Sequence, residues 1–305
     1  MKDNNFYKNI LILLTLMLVG IFVGSIVSLM LVKPIFNVDV FENLNILNLD
    51  ASNKEFAPIL KFIQIIYVLF MFIIPAQIFV YLRSSGHSTE YLKLTKPRLD
   101  YLALSFVLIF ICSPFISYLS VLNESIIFPE SLSYIENYFR SKEVQATAAT
   151  EIMLTANGIA DLGVNIFIVG LLAAFSEEIV FRGIVQKLFF DKIKNIHIAI
   201  WSTAFLFSAF HLQFFGFLPR LFLGAFLGYA FYYSQSIWIP IIMHFINNTV
   251  AIIIDYMYKR NLTSINPNED NYFGFIGLSI SILSTIIVFW YMHKISIRID
   301  GKRLD

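Results

Sequence analysis

Apolar runs of membrane-crossing length recur through this chain, and nothing else in it limits the fold as much. The hydrocarbon core of a bilayer takes about 20 consecutive apolar residues as a helix. Runs at 10–31, 62–82, 101–122, 162–190, 196–211, 218–233, 237–258 and 272–293 meet or approach that length. The expected fold is therefore all-α, a polytopic transmembrane helix bundle of about eight spans. Charge agrees with this: 14% of the 305 residues are Asp, Glu, Lys or Arg, against about 25% in a soluble domain. A net charge of +1 gives no reason to invoke nucleic acid. The single cysteine, Cys112, excludes an internal disulfide and a multi-cysteine metal site.

The connections carry the remaining organisation. The first run follows Lys2 and Lys8, as a signal peptide would. It is longer than a signal core of roughly 7–15 residues and no Ala-x-Ala site follows it, so a retained helix is expected. Residues 34–61, with Phe36, Val38, Val40 and Phe41, read as a piece lying at the interface. The longest connection, 123–161, mixes Glu136, Arg140, Lys142 and Glu143 with Tyr134, Ile135, Tyr138 and Phe139. That pattern predicts an amphipathic surface helix, either a substrate gate or a plain linker. The link Leu212–Phe217 has no charge and is expected to dip into the membrane. No internal repeat interrupts the chain, so one integral domain is expected: N-terminal helices over 1–161, a core over 162–258, and a last helix with its tail over 259–305. Lys and Arg in short loops set orientation. Lys2, Lys8, Arg83, Lys93, Lys96, Arg98, Lys187, Lys192, Lys194, Lys294, Arg298, Lys302 and Arg303 outnumber those on the other side, which puts both termini in the cytoplasm.

Against this apolar background the polar residues stand out. A charge at the bilayer centre costs at least about 2.5–3.5 kcal/mol, so such residues are rare, paired and functional. The stretch Ser176-Glu177-Glu178-Ile179-Val180-Phe181-Arg182 places three of them in the fourth span. Glu178 and Arg182, four apart, share a helix face and should form an ion pair. Glu177 points about 100° away, which leaves its carboxylate unassigned. A buried carboxylate beside a like charge suits a general base. His211 is the only ionisable residue from Ile198 through Gly216. Counted from the turn near Asp191–Asn195, it and Glu177 lie at the same height, roughly 24–27 Å along neighbouring helices. In the seventh span His244 and Asn248 stack on one face, while Asn247 lies off it. His87, His197 and His293 read as interfacial, and Arg220, which begins the sixth span, should snorkel.

A carboxylate base, an adjacent imidazole and a facing imidazole–carboxamide pair describe a hydrolytic site. Glu177 with His211 would deprotonate a water, and His244 and Asn248 would stabilise the oxyanion. Ser176 and Ser208 have no base partner, so attack by water is expected rather than an acyl-enzyme. No cofactor is required, but Glu177, His211 and His244 are also suitable zinc ligands, and spacing alone leaves both readings open. Two non-hydrolytic readings fit the same residues: an immunity or scaffold protein that keeps them for packing, and an ion-coupled transporter. The lack of an inverted repeat speaks against transport.

The series Glu-Glu-x-x-x-Arg (Glu177, Glu178, Arg182), Phe-x-x-x-His (Phe207, His211) and His-x-x-x-Asn (His244, Asn248) falls on three successive apolar segments. It resembles the CAAX prenyl protease 2 and bacteriocin-processing (CPBP, or Abi) family over residues 162–250. That resemblance implies an intramembrane endopeptidase with Glu177 as base, His211 holding the water, and His244 with Asn248 as the oxyanion site. Glu178 and Arg182 would support them. It further implies a membrane-associated peptide or protein as substrate. Nothing in the chain marks a eukaryotic endomembrane protein, so a bacterial plasma membrane is the expected location.

Overall fold

The computed structural model describes residues 5–39, 54–266 and 274–300. Each apolar run becomes a helix: α1 (Phe6–Phe36), α2 (Lys54–Ser84), α3 (Leu99–Glu124), α5 (Ile159–Ile193), α6 (Ile196–Phe210), α7 (Phe217–Ser234), α8 (Trp238–Lys259) and α9 (Gly274–Asp300). The expected amphipathic helix is α4 (Ser133–Met153). Among the described residues there is no strand, and the fold is the expected all-α membrane bundle. The interfacial piece expected at 34–61 falls partly at 40–53, outside the described residues.

Six of these helices, not eight, are long and apolar enough to cross a bilayer unaided: α1, α2, α3, α5, α8 and α9. The shortfall lies in α6 and α7. With 15 residues, α6 reaches only about 22 Å, short of a ~30 Å hydrocarbon core. α7 has 18 residues but carries Arg220 and a tyrosine-rich end. Both are covered by neighbours: α6 packs on α7 and α5, and α7 packs on α3 and α8.

The two largest clusters of buried side chains make up most of the core. One gathers Leu13 and Met17 of α1, Phe79 and Val80 of α2, and Val180, Phe181 and Ile184 of α5, with Phe207 of α6. The other joins Tyr101 and Leu108 of α3, Leu223 and Leu227 of α7, Ile239 and Met243 of α8, and Met292 of α9. The outer faces of α1 and α9 leave large apolar residues exposed, among them Leu18, Phe22, Ile280 and Leu283. With lipid as the solvent, that exposure carries no penalty.

Close helix contact depends on small residues. Gly20 and Gly24 of α1 face Phe70 of α2, and a Cβ on Gly20 would lie 1.8 Å from the Phe70 carbonyl oxygen. This is the small-xxx-small contact by which membrane helices approach backbone to backbone. Phe70 sits in a widened turn, where the Ile74 amide donates to the Leu69 carbonyl five residues back. Two similar turns interrupt α5: the Ala173 amide reaches Ile168 and the Gln186 amide reaches Phe181. They bracket Ala173–Glu178, the segment that holds both glutamates. Such π-type turns concentrate at functional sites because they re-aim side chains.

Candidate active site

The ion pair expected from spacing is present and dry. Arg182 and Glu178 are both fully buried, with the guanidinium Nη1 2.7 Å from Glu178 Oε1. Arg182 Nη2 donates to the Gly224 carbonyl of α7 at 2.8 Å, and the guanidinium lies over the Phe207 ring at 4.7 Å. At position 224 a side chain would crowd the same place, since a Cβ there would stand 3.2 Å from Phe207 and 3.3 Å from Ala204. The arginine is thus enclosed by a carboxylate, a backbone carbonyl and an aromatic face.

His244 of α8 completes this cluster. Its Nδ1 lies 2.8 Å from Glu178 Oε1, the oxygen that also accepts from Arg182. A carboxylate only accepts, so Nδ1 carries the hydrogen and Nε2 is turned the other way. Nε2 lies 3.9 Å from Glu177 Oε2. That is beyond a direct hydrogen bond, and Glu177 makes none to any other described residue. Glu177 is also less enclosed, with its side chain 18% exposed where that of Glu178 is 0%. Adjacent in sequence, the two glutamates occupy different environments: one accepts from both Arg182 and His244, the other is more open and makes no direct hydrogen bond among the described residues.

His211 is differently placed. It closes α6, with Nδ1 turned back to the Phe207 carbonyl at 2.9 Å. Among the described residues it forms no ion pair with Glu177, and the imidazole beside Glu177 is His244. Matching heights along two helices did not fix which way the ring faces. Both histidines do meet one aromatic: Phe207 contacts His211 at 5.2 Å and His244 at 5.9 Å between ring centroids. Asn248 donates to the Val169 carbonyl, in the first widened turn of α5, at 3.1 Å. Its Oδ1 accepts from Asn247 at 3.3 Å, a partnership that gives the off-face asparagine its place. One of the two Asn248 amide hydrogens is therefore committed to the backbone.

Its place at the start of an apolar span predicts that Arg220 snorkels to the membrane interface. In the structure it is half-buried and folds back under the link after His211, donating to Gln213 Oε1 and to the Gln213 carbonyl, both at 3.0 Å. A carboxamide two residues from His211 gives an arginine a closer partner than the membrane surface. Asn123, almost fully buried, holds the same link: it donates to the Phe214 carbonyl at 3.0 Å and accepts from the Leu218 amide at 2.7 Å. Among the described residues, no three His, Cys, Asp or Glu side chains are gathered as a ligand set for one metal ion.

Residues 160–250 match the family described as Type II CAAX prenyl endopeptidase Rce1-like. Uncharacterized protein YpbD of Bacillus subtilis (strain 168) is 28% identical over 90 residues, which make up 28% of this chain and 43% of that protein. The chain thus spans less than half the length of that curated relative. No solved structure matches. Glu177, Glu178, Arg182, His211, His244 and Asn248 all fall inside the matched segment. Over residues 160–250, then, the chain is similar to a family of Type II CAAX prenyl endopeptidases.

Proposed function

We propose that the chain is a multi-pass endopeptidase of a bacterial plasma membrane, with both termini cytoplasmic, which cleaves a membrane-associated peptide or protein by activated water. The observation that carries this reading is the open Glu177 carboxylate 3.9 Å from an imidazole nitrogen whose other side is fixed by Glu178. Water bound at Glu177 and oriented by His211 gives its proton to Glu177 as its oxygen attacks the scissile carbonyl carbon. The developing oxyanion is stabilised at His244 Nε2 and by the Asn248 amide hydrogen not used by Val169. On collapse the carbon–nitrogen bond breaks and Glu177 returns the proton to the leaving amine. Each oxyanion donor of this kind is worth about 2.7–4 kcal/mol.

This reading uses no cofactor. A zinc-dependent version would draw on Glu177, His211 and His244, and full activity after exhaustive chelation, with no metal found in the protein, separates the two. The primary test is reconstitution of the full chain in bacterial-phospholipid vesicles with a library of membrane-inserted peptides, read by mass spectrometry. New peptide termini with the wild type and none with Glu177→Gln are expected. Identical products from both, or none from either, overturn the proposal.

A further inference from the structure

The helix α4 has one buried residue, Ile152, yet it makes specific contacts to the link that follows His211. Glu143 of α4 accepts a hydrogen bond from Gln213 Nε2 at 3.1 Å. The Phe139 ring stacks on Phe214, 5.0 Å between centroids and 15° between planes. The Arg140 guanidinium lies over Phe215 at 4.4 Å. Phe128, in the connection leading to α4, contacts Phe214 at 5.2 Å. From the opposite side Arg220 of α7 holds both the side chain and the carbonyl of Gln213.

Gln213 is therefore clamped, and its orientation is unambiguous. A guanidinium can only donate and a carboxylate only accept, so Oε1 faces Arg220 and Nε2 faces Glu143. Between the clamp and His211 stands Leu212, with a positive φ of 54° and its side chain in the open. A branched, non-glycine residue holds that conformation only where its neighbours impose it. Leu212 sits just past the end of α6, where its amide donates to the Ala209 carbonyl at 3.0 Å, so the helix ending sets that conformation, and the clamped Gln213 holds the chain directly after it. The backbone that carries His211 is thus held from both directions, by the end of α6 on one side and by the clamp on the other.

We propose that Gln213, gripped between Glu143 and Arg220, is the positioning residue that sets His211, and that docking of α4 on this link thereby controls the histidine. The inference deepens the peptidase reading by naming how His211 is held. It answers the choice the sequence left open for 123–161: α4 acts on the site rather than merely joining two spans.

The test is an exchange of donor and acceptor in the full chain. Gln213→Glu sets two carboxylates against each other while keeping the bond to Arg220. Adding Glu143→Gln restores a donor opposite the new carboxylate, with the same atoms exchanged and the same total charge as wild type. The readout is acylation of His211 by diethyl pyrocarbonate in detergent, followed by peptide mass spectrometry, with buried His244 as the internal reference. Gln213→Glu should raise the His211 rate severalfold relative to His244, and the double variant should return it to the wild-type value. An unchanged His211 rate in Gln213→Glu, or no recovery in the double variant, overturns the proposal. Neither readout depends on peptide cleavage. A chain that cleaves nothing but shows the rise and recovery keeps the clamp and loses the peptidase reading.

Discussion

The two motif histidines sit in contrasting surroundings. His244 is 5% exposed and bracketed by two carboxylates, one of which is locked by Arg182. His211 is partly buried at the end of a short helix, with Nδ1 turned to the Phe207 carbonyl, and is followed by a link of one glutamine among apolar residues. The first is fixed by a hydrogen bond from α8 to a carboxylate of α5, the second lies beside a clamp built from elements distant in sequence. The difference teaches where sensitivity lies: damage to the His244 cluster should appear as lost stability, and damage around His211 as lost function in a chain that still folds.

Glu177→Gln and His211→Ala press that contrast hardest. Among the described residues Glu177 makes no direct hydrogen bond to the dry cluster and His211 no ion pair with it, so both variants should insert and unfold near the wild-type temperature. Loss of a general base removes about 10²–10⁴-fold of rate, so vesicle cleavage should disappear. Wild-type cleavage in either variant breaks the functional half of the comparison. Glu178→Ala tests the other half. It strands both Arg182 and His244 without their shared acceptor, and removing one partner of a buried pair costs about 3–5 kcal/mol. Yield and thermal unfolding in detergent should fall sharply, and more than for Asn248→Ala. The Asn248 carboxamide makes neutral hydrogen bonds, each worth about 0.5–1.5 kcal/mol. The reverse order would show that the dry cluster is not what holds α5 to α8.

What was legible in the sequence divides along the same line. The Glu178–Arg182 pair follows from helical spacing alone, because both residues lie on one element. The bond from His244 to Glu178 spans two helices, and no spacing rule predicts which of two adjacent glutamates an imidazole will choose. The widened turns that bracket those glutamates leave no mark in composition either, since Ile166–Leu172 and Ile179–Val185 read as ordinary apolar helix. Gly20 and Gly24 did carry a signal, the four-residue spacing of small residues, but only Phe70 lying against them shows which helix they admit. The amphipathic pattern of α4 was plain, but its role depends on Gln213, a residue whose type has no meaning until Glu143 and Arg220 stand on either side of it.

The smallest expected effect concerns how α4 is joined to the rest. Glu136 accepts from Arg140 Nε at 2.8 Å and from the Phe128 amide at 3.1 Å. The arginine first, and then the amide, hold its carboxyl below the usual carboxylate range. A group whose folded value is depressed contributes stability that is present above its unfolded value and is lost as pH falls through the folded one. The tie between Phe128 and α4 should thus be intact at neutral pH and weaken only in acid. Hydrogen exchange at the Phe128 amide, corrected for the intrinsic dependence on pH, should lose protection as pH is lowered through that range. In Glu136→Gln, which has no carboxylate to titrate, the corrected protection should stay flat. Parallel profiles for the two proteins would mean that the Phe128 contact with Phe214, rather than Glu136, holds this connection, and α4 would then be joined to the His211 link by aromatic packing and the Gln213 clamp alone.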